Sequence, residues 1–162
     1  MFSWLFSRDK KFVSAIKNLT GYYPSNINVY KLAFHHRSAA TQTLTGTRLS
    51  NERLEYLGDA VLGAVVAELL FKKFPLKEEG FLTEMRAKIV SREHLKQLAF
   101  KLGIDKMMIK NAGHDSFRSM YGDALEALIG AIYIDKGYKK TRCFILTRLI
   151  GHHVDIEEME VT

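Results

Sequence analysis

From Asn51 to Phe74 the residues Leu54, Leu57, Val61, Leu62, Val65 and Leu69 recur at helical spacing without a break, and Pro75 stands where a helix must stop. A helix of that span is about 35 Å long, so the remainder of the chain has to be built around it. At 162 residues there is length for one domain with a proper core. The longest apolar stretch, Ala60 to Phe71, is interrupted by Glu68 and falls short of the roughly 18 residues that cross a bilayer. No membrane association is expected.

Phe12, Ile16 and Leu19 precede Gly21 at helical spacing, and a second short segment carries Leu32. Ala39 to Ser50 lacks apolar periodicity and reads as a surface loop, with Ser50 or Asn51 as the cap of the long helix. Thr83 to Leu102 predicts one bent helix or two, broken near Ser91 and stopped by Gly103. Ile104 to Arg118 reads as a surface connection. A helix follows over Ser119 to Asp135, and a last amphipathic one over Lys139 to Ile150. No segment alternates apolar and polar residues between hairpin turns, so the fold class is all-α. Residues 1–155 are expected to form the domain and 156–162 an acidic tail or the start of a linker.

Cys143 stands alone, which excludes an intrachain disulfide and a cysteine zinc cluster within one chain and fits a reducing cytoplasm. The apolar start, Met1 to Phe6, is followed rather than preceded by Arg8, Lys10 and Lys11, the reverse of an export signal. The formal net charge of +6 points toward a phosphate-rich partner.

Against that positive balance, the long helix gathers carboxylates. Glu52, Glu55 and Asp59 stand at i, i+3 and i+7, within about 60° of one another on the helix. Asp123 and Glu126 stand at i and i+3 on the later helix. Acidic residues at such spacing most often decorate solvated faces. Here they are interleaved with Gly58, Ala60, Gly63 and Ala64 on one helix and Gly122, Ala124, Ala127, Gly130 and Ala131 on the other. Glycine costs about 1 kcal/mol in a helix interior, and close helix approach would offset that. Packed through these small residues, the two helices would bring Glu55, Asp59, Asp123 and Glu126 into one all-oxygen site suited to magnesium. That is a phosphoryl-transfer site in outline.

The run Asn51-Glu52-Arg53-Leu54-Glu55-Tyr56-Leu57-Gly58-Asp59 closely resembles the signature helix of the ribonuclease III family. Further landmarks fall in the family's order: Ala33-Phe34-His35-His36-Arg37-Ser38, Glu79-Gly80-Phe81-Leu82-Thr83 and Gly122-Asp123-Ala124-Leu125-Glu126-Ala127. The resemblance implies that Glu55, Asp59, Asp123 and Glu126 are the catalytic, metal-binding carboxylates, with Glu52 and Glu79 as acidic helpers. It further implies a Mg2+-dependent endoribonuclease, with Mn2+ able to substitute, that cleaves double-stranded RNA in rRNA and mRNA processing. The products would carry 5′-phosphate and 3′-hydroxyl staggered ends. Tyr56 would pack into a partner subunit, with Phe81 near the interface. A homodimer also suits the two antiparallel strands of a duplex. Family members of this kind usually carry a C-terminal double-stranded-RNA-binding domain. None is expected in this chain, so RNA binding by it alone should be weak and steeply salt-dependent. The alternatives are a catalytically silent RNA-binding or assembly domain of the same fold, and an unrelated helical interaction protein with independent, solvated acidic faces.

Other chemistry-bearing residues have plainer readings. His114-Asp115 reads as loop, and His35-His36 and His152-His153 diverge by about 100° if helical, which suits packing or surface roles better than shared metal ligation. Cys143 reads as a small core residue. Lys139, Lys140, Arg142 and Arg148 read as a solvated basic face, with phosphate contact the minority reading.

Overall fold

The computed structural model describes residues 3–39, 49–109, 120–156 and 159. Seven α-helices longer than one turn are present there: α1 (Ser3–Thr20), α2 (Ile27–Ala33), α3 (Glu52–Lys73), α4 (Glu79–Ile89), α5 (Arg92–Lys101), α6 (Met120–Lys136) and α7 (Tyr138–Phe144). Short 3-10 turns cover Arg37–Ala39 and Ile104–Lys106, and a π-helical stretch, Ile145–Ile150, runs on from α7 into the turn Gly151–His153. Extended pairing among the described residues is limited to one isolated bridge between His35 and Ile109. The fold is all-α, as expected.

The expected long helix is α3, ending one residue before Phe74. Its apolar positions Leu54, Val61, Leu62, Val65, Val66 and Leu70 are buried, and its most extensive packing is against α6, whose residues from Ala127 to Ile132 are all buried. These two helices form the axis of the core. Helices α2, α4, α5 and α7 close around them, with Tyr30, Phe34, Met85, Leu98 and Phe144 almost wholly enclosed. The chain still packs on this core near its end, where Ile156 is buried and Met159 lies against it.

Several local expectations are corrected. Neither Ser50 nor Asn51 caps α3 through its side chain. Asn51 occupies the cap position in helical geometry, and its buried Nδ2 donates to the Ala33 carbonyl at 3.2 Å, tying the start of α3 to the end of α2. The Ser50 hydroxyl donates instead to Glu52 at 2.9 Å. The stretch from Thr83 to Leu102 is two helices. Ser91 caps α5 by accepting from the His94 backbone N–H, while His94 Nδ1 donates to the Ile89 carbonyl at 2.7 Å, so the side chains at the break tie the two helices together. Gly103 follows α5 in the left-handed conformation, at φ 73°, that makes it the stop. The first helix is longer than expected, and the last one is divided between α7 and the π-helical stretch.

Cys143 is exposed rather than core: in α7 the buried positions are Thr141 and Phe144, and Cys143 points away from them. Ile104, placed in a surface connection by the sequence, is completely buried. His114-Asp115 and most of the loop from Ala39 to Ser50 lie outside the described residues.

Candidate metal and phosphodiester site

The site is set by how closely α3 and α6 approach. A Cβ built on Gly58 would stand 1.7 Å from the Glu126 carbonyl oxygen, and one built on Gly130 would stand 2.2 Å from the Leu54 carbonyl oxygen. Only glycine at both positions lets the two backbones touch. The other small residues act elsewhere. Around Gly63 there is nothing within 4 Å of an added Cβ, and Ala60 and Ala64 are exposed. Gly122 approaches α5, where its added Cβ would meet Leu95 at 3.4 Å.

Glu55 and Asp59 flank Gly58 on α3, so the crossing carries them to the N-terminal half of α6. Carboxylate oxygens of Glu55, Asp123 and Glu126 all lie within 4.8 Å of one another, and the three side chains are half-buried. Asp59 is exposed and lines the same cavity of about 370 Å³, which also includes Glu52, Tyr56 and Arg92. The four carboxylates singled out on two separate helices therefore share one cavity. A neighbouring cavity of about 360 Å³ continues from Glu52, Glu55 and Asp123 to His36, Arg37 and Asn51.

Electrostatics follow from that crowding. Burial, then the charges of Asp59, Glu55 and Asp123, push the Glu126 carboxyl up to about 8, with Arg92 pulling the other way. Burial and Asp123 likewise raise Glu55. Like charges this close cannot all ionise cheaply without a counter-charge. An all-oxygen set of this kind, half-buried and crowded with like charge, fits a hard divalent ion.

Glu52 is exposed, accepts from Ser50 and lies 3.7 Å from the Arg37 guanidinium. Glu79 lies outside both cavities; it opens α4, accepts from Thr83 Oγ1 at 2.7 Å, and lines a groove with Phe71, Leu82 and Arg86. Tyr56 is 81% exposed. Phe81 is partly buried, edge-on to Phe74 with ring centroids 5.1 Å apart. His36 is buried, and its Nδ1 accepts from the Ser38 backbone N–H at 3.1 Å, which pins the 3-10 turn that carries Arg37. Arg142 is bound bidentately to Glu68, at 2.8 and 3.2 Å, and so serves the α3–α7 contact. Sequence reasoning had no signal for Arg92 beyond its place after the cap residue Ser91.

Residues 26–153 match the family model described as ribonuclease-III-like. The chain belongs to the ribonuclease III-like family. Ribonuclease 3 of Bacteroides thetaiotaomicron is 42% identical over 158 residues, which cover 96% of this chain and 50% of that protein. Ribonuclease 3 of Phocaeicola vulgatus is 44% identical over 156 residues, covering 96% and 51%. The chain thus spans about half the length of these curated relatives. Among solved structures, it is similar to the nuclease domain of ribonuclease III from Campylobacter jejuni, described for flexibility in a region involved in dimer formation. That likeness has a TM-score of 0.77 at 32% identity and covers 87% of this chain and 97% of the other. Dicer from Pichia stipitis is similar at a TM-score of 0.63 and 28% identity, over 87% of this chain and 60% of that one. The ribonuclease III-like segment contains all four carboxylates of the cavity.

Proposed function

We propose that this protein is a metal-dependent endoribonuclease that hydrolyses phosphodiester bonds of double-stranded RNA, leaving 5′-phosphate and 3′-hydroxyl staggered ends. Its substrates in this reading are structured rRNA and mRNA precursors in the cytoplasm. The observation that carries it is the convergence of Glu55, Asp123 and Glu126 within 4.8 Å, with Asp59 in the same cavity, on a chain of this family. Glu55, Asp59, Asp123 and Glu126 are the residues that would hold Mg2+, or Mn2+ in its place. The bound cation supplies an activated water and neutralises charge developing on the phosphodiester.

The protein's own groups have distinct tasks. Glu126, the more buried of the two raised carboxyls, would hold the cation from the inner wall of the site. Asp59, exposed on the same cavity, would complete the carboxylate set from the solvent side. Glu52, drawn toward Arg37, borders the passage between the two cavities and supports the acidic field. Glu79 would support it only across a subunit contact, since its own groove is separate.

The active form in this reading is a homodimer. Tyr56 exposes its ring beside Glu55, Phe71 lies within about 60° of it on α3, and both are largely solvent-facing, at 81% and 71%. Tyr56 is the interface residue in this reading, and Phe81, packed on Phe74 near the other end of α3, lies near the interface. Two copies related by a two-fold axis present one acidic cavity to each strand of a duplex.

The deciding experiment is single-turnover cleavage of a labelled RNA duplex by the wild type and Glu126→Gln across a magnesium titration. The substitution keeps size and helix propensity and removes the charge. A loss of at least about a hundredfold with unchanged dimer mass supports the reading. Equal rates in a folded variant would sink it, and a duplex left intact by the wild type would favour the silent RNA-binding alternative.

A further inference from the structure

We infer that Arg92 is a substrate-phosphate contact of the acidic cavity, holding the RNA strand next to the carboxylates. This rests on the nuclease reading above and adds to it a residue that helps choose where the strand lies. Arg92 is exposed and lines both neighbouring cavities, the one walled by Glu126 and Asp59 and the one walled by Arg37 and Asn51. It therefore stands at their junction, on the path a strand must take to place a phosphodiester at the carboxylates.

The two arginines that line these cavities are used differently. The Arg37 guanidinium is drawn to Glu52 at 3.7 Å. Among the described residues, no side-chain hydrogen bond or ion pair within 4 Å engages the Arg92 guanidinium, although its charge is felt by Glu126. A cation committed to neutralising the cluster would pair with one of its carboxylates. Arg92 leaves its planar fork open toward the cavity, and a phosphate diester accepts that fork bidentately.

Its base is also rigidly placed. Arg92 opens α5 directly after the cap Ser91. Next to Asp123, Gly122 packs α6 against this turn, where an added Cβ would make ordinary contact, 3.7 Å from the Arg92 carbonyl oxygen and 3.4 Å from Leu95 Cβ. The distance between the Arg92 backbone and the carboxylates of α6 is thereby set by main-chain packing. Four carboxylates repel RNA until a cation is bound, and an uncommitted guanidinium at the edge offers the approaching backbone its first favourable charge.

Arg92→Ala and Arg92→Lys are compared with Lys140→Ala, which removes the same charge from α7, beyond the far end of α6. Cleavage of a short duplex gives kcat and KM, and binding in Ca2+ gives the salt slope. Arg92→Ala is expected to raise KM about tenfold with kcat within about threefold, and to flatten the log K against log salt slope by about one. Arg92→Lys should restore the slope but only part of KM, because charge survives and the bidentate fork does not. Lys140→Ala should leave KM near wild type. If Arg92→Ala matches Lys140→Ala in KM and slope, or changes only the metal concentration needed for half-maximal rate, the inference is overturned. If the wild type binds duplex but does not cleave it, the nuclease reading fails by itself, and the three salt slopes still decide whether Arg92 meets phosphate.

Discussion

Gly58 faces the main chain of Glu126 so closely that a Cβ on the glycine would lie 1.7 Å from the glutamate's carbonyl oxygen. The same contact that joins α3 to α6 therefore places the most perturbed carboxyl of the cavity opposite the helix that carries Glu55 and Asp59. Packing and site are one feature.

Gly58→Ala should consequently lose both stability and cleavage, because the obstruction is backbone and cannot rotate away. A loss of about 3 kcal/mol or more is expected. Gly63→Ala, five residues along the same helix and in open space, should instead gain about 0.5–1 kcal/mol from helix propensity. Urea unfolding of both variants checks this, and equal destabilisation would show that the crossing tolerates separation.

The carboxylate cluster makes stability depend on pH in a defined direction. The Glu126 carboxyl is raised to about 8, above its value in an unfolded chain, and Glu55 is raised as well. The folded state binds those protons more tightly, so their contribution is full below the unfolded value and is lost as pH rises through about 8. With EDTA present, the urea midpoint should fall from about pH 6 to about pH 9. Saturating Mg2+ should abolish the fall by replacing protons as the counter-charge, and Glu126→Gln should lessen it without metal. Asp135 and Glu68, both held low, act only in the acid range. A flat wild-type profile in EDTA would contradict this account.

Asp135 is a second buried carboxylate with a structural task. Its side chain is 2% exposed and accepts from the Ser25 and Asn26 backbone N–H groups, at 3.0 and 2.9 Å, and from the Tyr30 hydroxyl at 3.0 Å. Burial alone would raise its carboxyl, and these donors with Lys136 hold it below the ordinary value. Asp135→Ala leaves those donors without an acceptor and should cost about 2–4 kcal/mol. Cleavage per folded molecule should be unchanged, because α6 carries Asp135 near the opposite end from Asp123 and Glu126. Thermal unfolding alongside single-turnover rates separates the two effects.

Tyr56→Ala removes a ring that is 81% exposed in the isolated chain. Little loss of monomer stability is expected, and a shift from dimer to monomer in light scattering at micromolar concentration should accompany a fall in cleavage. An unchanged dimer mass would move the interface elsewhere.

Much of the fold is written in periodicity. The apolar spacing of α3 and α6, the stop at Pro75 and the break at Ser91 are local signals, because each depends on residues within a few turns of one another. The acidic spacing of Glu52, Glu55 and Asp59 is equally local, and the dense run from Asn51 to Asp59 carried the family. Cys143 is exposed and Ile104 buried against the sequence expectation, because short apolar patterns do not say which face finds a partner.

What lay beyond local pattern was every fact that depends on two distant segments meeting. Nine small residues look equivalent in sequence, yet Gly58 and Gly130 meet at the crossing, Gly122 serves α5, and Gly63 meets nothing. Arg142 and Arg92 are both surface-type arginines in sequence; packing gives the first to Glu68 and leaves the second at the mouth of the acidic cavity. The sequence by itself determined the helices, their stops and the carboxylate faces, since these follow from the rotation per residue. Only the tertiary structure decided which carboxylates converge, because convergence depends on the distance at which two backbones can touch, and no spacing along one helix encodes that distance.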